Sequence, residues 1–225
     1  MNSKRLSSFF CGVFVVVFAV SAQAAKIFTI TSNPSESKVL LNNQDIGITP
    51  AQTKMDFGSE RINIVSISKP GYFEQTITLN SKSKEVKTGL INVTLIPDEG
   101  WNATTTSDAT NNWVRIQIDS AIPEGEVWQK IVDAVTSRYP SLEQIDNTSG
   151  YIRSIYEVKT YKSPQGSYQI RTRLLGSIAS KSPLTFKFRV EAEQTSASGQ
   201  WIPLQRVFKE DAQLMEELHG RLSQK

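Results

Sequence analysis

The side chains best placed to do chemistry are five cations on what read as neighbouring strands: Arg153, Arg171, Arg173, Lys187 and Arg189. Their parity is opposite to that of the apolar residues around them, except where Ile155 and Leu175 break the rule. A pleated sheet would then set them on one face beside Glu157, Glu191 and Glu193. Two uses follow. Cross-strand ion pairing on a wet face contributes only about 0–1 kcal/mol per exposed pair, whereas a shared cationic surface could hold an acidic partner or polymer. Glu210, Asp211, Glu216, Glu217 and His219 form the one His-plus-acid cluster. Glu216 and His219, three apart on a helix, could face one metal, but two ligands do not make a site and a solvated helix flank accounts for them. Asp119, Glu124, Glu126 and Asp146 could supply paired carboxylates for glycoside hydrolysis if folding joined two of them; nothing in their spacing demands it. A Gly-rich phosphate loop and a Gly-x-Ser-x-Gly elbow are both missing, and one His and one Cys are too few for most zinc sites, triads or iron–sulfur clusters. No catalytic, cofactor or metal residue is assigned, and a non-enzymatic role is expected.

The elements that must carry the cations run from about residue 113 to 225. Val114, Ile116 and Ile118 alternate with Trp113, Arg115 and Gln117, as in a half-buried strand. Trp128, Ile131, Val132 and Val135 then mark one face of a helix over 124–139 that stops before Pro140. Strands are expected over 150–161, 167–177 and 184–194, joined as an antiparallel meander by turns at Ser163-Pro164-Gln165-Gly166 and Ser180-Lys181-Ser182-Pro183. In the last, Phe186, Phe188, Val190 and Ala192 point one way and Lys187, Arg189, Glu191 and Glu193 the other. An edge strand near 201–207 leads to a closing helix with Leu214, Met215, Leu218 and Leu222 as its apolar stripe. One antiparallel sheet with two helices on a single face is the α+β arrangement this order predicts.

Upstream, residues 26–96 read as short strands at 27–31, 38–41, 61–67, 73–79 and 90–96, without helical periodicity. The turns at Ser32-Asn33-Pro34, Asn42-Asn43, Thr49-Pro50, Phe57-Gly58-Ser59 and Lys69-Pro70-Gly71 predict a small all-β sandwich. Residues 97–112 are rich in Thr, Ser, Asp and Asn, with Trp101 the single bulky side chain, and have the composition of a polar linker. Trp101 is expected to dock on a neighbouring domain.

The chain has 225 residues, 39% hydrophobic and 21% charged, which is globular composition. With 25 basic against 22 acidic residues the net charge of +3 gives no broad field for nucleic acid or an anionic membrane. Lys4 and Arg5, an apolar run from Phe9 to Val20 and then Ser21-Ala22-Gln23-Ala24 are the order of a cleaved secretory signal peptide, residues 1–24. The run of about 12 residues falls short of the roughly 20 a spanning helix needs, so no transmembrane span is expected after cleavage. Cys11 lies at the front of the apolar core, the wrong place for a lipoprotein cysteine. Cleavage removes it, leaves no thiol for a disulfide and places the protein in the periplasm or at the cell surface.

The series Ser32-Asn33-Pro34, Val39, Leu41, Gly47, Thr49-Pro50, Gly58 and Lys69-Pro70-Gly71-Tyr72 closely resembles the PEGA domain, a small β-sandwich of surface and envelope proteins, over about residues 27–96. This chain departs from the naming tetrad with Pro34-Ser35-Glu36-Ser37. Glu36 lacks the freedom of Gly to take a positive φ, so a different turn type is expected. The β-α-β-β-β-α order of residues 113–224, with Asp146 to Arg153 at a strand entry, resembles helix-grip domains, the nearest being those of the C-subunit lipoprotein of the outer-membrane β-barrel assembly machinery. The resemblances imply a non-catalytic, exported cell-envelope protein that binds an envelope protein or wall polymer. The alternative is a small-molecule carrier with an apolar cavity in the helix-grip-like unit; Phe186, Phe188, Trp128 and Met215 point instead to a filled core.

Overall fold

The computed structural model describes residues 26–58 and 61–223; the expected signal segment lies outside them. The first unit contains β1 (Lys26–Asn33), β2 (Lys38–Leu41), β3 (Gln44–Ile48), β4 (Ala51–Met55), β5 (Asn63–Ser68), β6 (Gln75–Leu79), a short helix α1 (Lys84–Thr88) and β7 (Leu90–Thr94). They form two sheets, β4-β1-β7 and β3-β2-β5-β6. β1 runs antiparallel to β4 and parallel to β7. Alternation is clearest in β5, where Asn63, Val65 and Ile67 are buried and their neighbours are not. These residues pack with Phe28, Ile30, Val39, Leu79 and Ile91 in one apolar cluster. The sandwich read from the turn residues is present. β3, β4 and α1 were not legible in the apolar pattern, because Gln-Asp-Ile-Gly-Ile and Ala-Gln-Thr-Lys-Met carry few β-branched residues.

The first turn is a correction. Glu36 adopts φ +57°, the left-handed conformation that glycine normally supplies, so the turn is not remodelled to avoid it. Hydrogen bonds hold it there: Glu36 N–H donates to the Thr49 carbonyl, and the Ser37 N–H donates to Thr49 Oγ1 at 3.0 Å. Ser32 Oγ lies 2.6 Å from the same Thr49 hydroxyl. Ser37 and Thr49 are both buried, so this hydroxyl cluster satisfies polar groups that water cannot reach.

Residues 97–112 also depart from expectation. The segment forms α2 (Glu99–Ala103) and β8 (Thr104–Thr105), and its Ala109, Thr104 and Thr110 are buried. Asp98 caps α2 by accepting from Trp101 N–H at 3.0 Å, and it also accepts a very short hydrogen bond from the Tyr168 hydroxyl. Asn111 Nδ2 donates to the carbonyls of Ala192 and Leu204. The polar side chains that suggested a joint are used as caps and bridges, a role composition does not distinguish from solvation. Trp101 is 41% exposed and lies under the Arg206 guanidinium at 3.9 Å, which in turn donates to the Thr104 carbonyl at 2.6 Å. Gly100 is required by close approach: a Cβ there would fall 2.1 Å from the Tyr168 hydroxyl oxygen.

The remaining elements are β9 (Val114–Gln117), α3 (Glu124–Arg138), β10 (Leu142–Asp146), β11 (Tyr151–Ser154), β12 (Glu157–Ser163), β13 (Gly166–Lys181), β14 (Leu184–Thr195), β15 (Trp201–Pro203), β16 (Val207–Phe208) and α4 (Lys209–Leu222). Seven strands make one antiparallel sheet: β10-β11-β13-β14-β15 in line, with β12 on β13 and β9 on β14. β16 pairs with β8. The strand expected over 150–161 is two strands, broken at Ile155 and Tyr156, and the edge strand near 201–207 is likewise divided. One core joins Ile152, Leu174, Phe186, Phe188, Val190 and Ala192 of the sheet with Val127, Ile131 and Val135 of α3 and Leu214, Leu218 and Leu222 of α4. Both helices therefore cover the same sheet face. No helix among the described residues is long and apolar enough to cross a membrane.

Candidate functional site

The face away from the helices is where the structure places the five cations. Register fixes this: Arg171 stands opposite Glu193, Arg173 opposite Glu191, and Leu175 opposite Arg189 on β14 and Arg153 on β11. Leu175, the parity exception, is 7% exposed although α3 and α4 pack on the opposite face; the arginine side chains of its cross-strand neighbours stand on either side of it.

Most of the charge is spent internally. Arg171 Nε and Nη2 reach Glu193 Oε2 at 2.7 and 2.6 Å. Arg173 bonds Glu191 at 2.7 Å and Glu143 at 3.3 Å, and Arg153 bonds Glu143 at 3.0 Å. Arg189 pairs with Glu191. Burial pushes the Glu191 carboxyl up, but hydrogen bonding and charge from Arg173, with the Arg189 charge, outweigh it and hold the group below the usual carboxylate range. These side chains are only 20–29% exposed, apart from Glu143, so the pairs are better shielded than loose surface pairs. Glu157, expected on the same network, instead pairs with Arg138 and Lys159.

Aromatic rings interleave with the cations. The Arg171 guanidinium lies 4.2 Å from the Tyr156 ring and 4.0 Å from Trp201; Arg173 lies 4.3 Å from Tyr156. Trp113 carries Lys187 at 4.7 Å and Arg189 at 4.9 Å. Glu143, Trp113, Tyr156 and Trp201 were missed as members of this face. The signal that could have found the first ring was parity: Trp113 alternates with Val114, and so belongs with Arg115 and Gln117.

The array has two unlike ends. Around Arg171 it is neutralised and aromatic. At the other end Lys187 stands directly across from Arg115, and neither forms an ion pair among the described residues. Like charges opposite each other on a sheet repel, so this end, unlike the one around Arg171, carries cationic charge that no described carboxylate neutralises.

Elsewhere the acidic clusters are dispersed. Asp211 is fully buried, held by Arg138 at 2.8 Å and by the Tyr139 hydroxyl at 2.7 Å, while Glu216 and His219 are exposed. Burial raises the Asp211 carboxyl above its usual range against the pull of Arg138. Asp119 and Glu124 do line one recess of about 740 Å³ together with His219, but Glu126 and Asp146 do not. Asp119 Oδ1 accepts from Ala121 N–H, and Asp146 accepts from Thr148 N–H and the Ser149 hydroxyl, so both act in turns. The sheet–helix core holds Phe186 and Phe188 stacked at 6.1 Å, with Trp128 against Phe186 at 6.4 Å.

Neither curated proteins nor solved structures gave a match to the chain. The N-terminal sandwich does have a counterpart: residues 26–95 match the PEGA domain.

Proposed function

We propose that the chain is a non-catalytic, exported cell-envelope protein that serves as a binding or assembly module for an envelope protein or wall polymer, with the uncovered sheet face as its contact surface. Its two apolar clusters are read as separately folding units, a PEGA sandwich and a helix-grip-like sheet with two helices. The observation that carries the proposal is the composition of the uncovered face. Trp, Tyr and Arg are the residues that dominate contact energies at interfaces, and here they are already ordered by mutual stacking and by carboxylates, which lowers the entropy lost on binding. A partner would lay flat surface on the Tyr156–Trp201 side and present acidic groups to the Arg115–Lys187 end, where Trp113 stacks on Lys187. The PEGA match and the signal-like segment 1–24 support the envelope placement.

The test removes contact groups without unpairing the glutamates. Replacing Trp113 by Ala and Lys187 by Ser together should leave the chain folded, since neither belongs to the apolar core and neither substitution unpairs a glutamate. Crosslinked partners recovered from the native envelope should be lost with this variant, and released from wild type as salt is raised. Unchanged partners at unchanged salt would refute the proposal.

A further inference from the structure

The sheet ends, on the side of β9, in an edge with backbone groups to spare. Ile118 N–H donates to the Leu184 carbonyl, and the antiparallel register continues through Ile116 opposite Phe186 and Val114 opposite Phe188. Antiparallel alternation then turns the N–H and C=O of Val114 and Ile116 toward β14 and those of Arg115 and Gln117 outward. No backbone partner pairs with Arg115 or Gln117 on that outer side among the described residues. Beside the edge, on the helix side, lies a recess of about 520 Å³ lined by Val114, Ile116, Ala109, Ala212 and Met215, with Asp108, Glu216 and His219 at its margin. On the other side of the same edge stand Arg115 and Lys187, unneutralised.

We infer that β9 is an acceptor for an extended polypeptide segment of a protein partner, which adds as a further strand and alternates acidic with apolar side chains. Main-chain bonds to Arg115 and Gln117 would supply affinity, and the two faces of the added strand would supply specificity. Its acidic side chains fall on the Arg115–Lys187 face, and its apolar ones over the Val114–Ile116 recess. The reverse orientation would set acids against Asp108 and Glu216, so the charges also fix which way the strand lies. A second copy's β9 is disfavoured as occupant, since edge-to-edge pairing would bring Arg115 and Lys187 toward their own counterparts. This acceptor shares Lys187 with the stacked array, through Trp113, but its backbone groups on Arg115 and Gln117 belong to β9 alone.

The probe is a seven-residue peptide alternating Val and Glu, compared with one alternating Val and Lys, titrated into the isotope-labelled full chain and followed by amide NMR and hydrogen exchange. The Val/Glu peptide should shift and protect the Arg115 and Gln117 amides and bind at least tenfold more tightly than the Val/Lys peptide. Arg115→Pro, which deletes an outward N–H that β14 does not use, and Arg115→Glu, which keeps the backbone, should each weaken binding at least tenfold. Equal binding of both peptides, shifts confined to Tyr156 and Trp201, or full binding by Arg115→Glu would overturn the inference.

Discussion

The Tyr139 hydroxyl, at the end of α3, donates to Asp211 in the first turn of α4 across 72 positions of sequence. Arg138 reaches the same carboxylate oxygen, so one buried acid ties both helices together. Because the partners are buried, removing the acid should be costly. Asp211→Ala is expected to lower unfolding free energy by about 3 kcal/mol, the cost of removing the buried partner of Arg138 and the acceptor of the Tyr139 hydroxyl while Glu157 stays paired to that guanidinium. Asp211 is raised above its unfolded value, so its contribution is full below the unfolded value and falls as pH rises through the folded one. Asp211→Asn should therefore remove that component from the stability difference measured by urea unfolding between acid and neutral pH. A pH-independent difference from wild type would contradict this assignment.

Glu36 occupies a left-handed backbone position that costs an L-residue about 1 kcal/mol. Glu36→Gly should raise stability by about that amount, and Glu36→Ala should not. Thermal unfolding of the three proteins decides it: equal midpoints would mean the turn relaxes without cost.

Residues 97–112 should resist protease while Asp98, Gly100 and Tyr168 are intact. Gly100→Ala forces a methyl group against the Tyr168 hydroxyl, and cutting should then appear in this segment under limited proteolysis. Cutting there in the wild-type chain would restore the reading of these residues as a loose joint.

How much of this was legible follows from what each residue depends on. Phe186, Phe188, Val190 and Ala192 announced a two-faced strand because parity is local, and Leu214, Met215, Leu218 and Leu222 announced a helix for the same reason. The cations could be placed on one face with Glu191 and Glu193, but not with Glu143: it lies on β10, whose sequence Leu-Glu-Gln-Ile-Asp has little strand character and whose pairing with β11 is a tertiary fact. Asp211 stood out only as a member of the His-plus-acid cluster, since nothing local says that α3 will bring Arg138 to it. The 97–112 segment misled because Thr, Asn and Asp serve equally well as solvated linker and as caps that bond distant backbone.

The central claim, that the uncovered sheet face is the contact surface, is tested most directly by site-specific photo-crosslinking in the native envelope. A photoreactive residue replacing Trp113 should give a discrete adduct. The same residue replacing Gln213, exposed on α4 away from that face, should give none. Adducts at Gln213 with none at Trp113 would place the contact on the helical side and contradict the account.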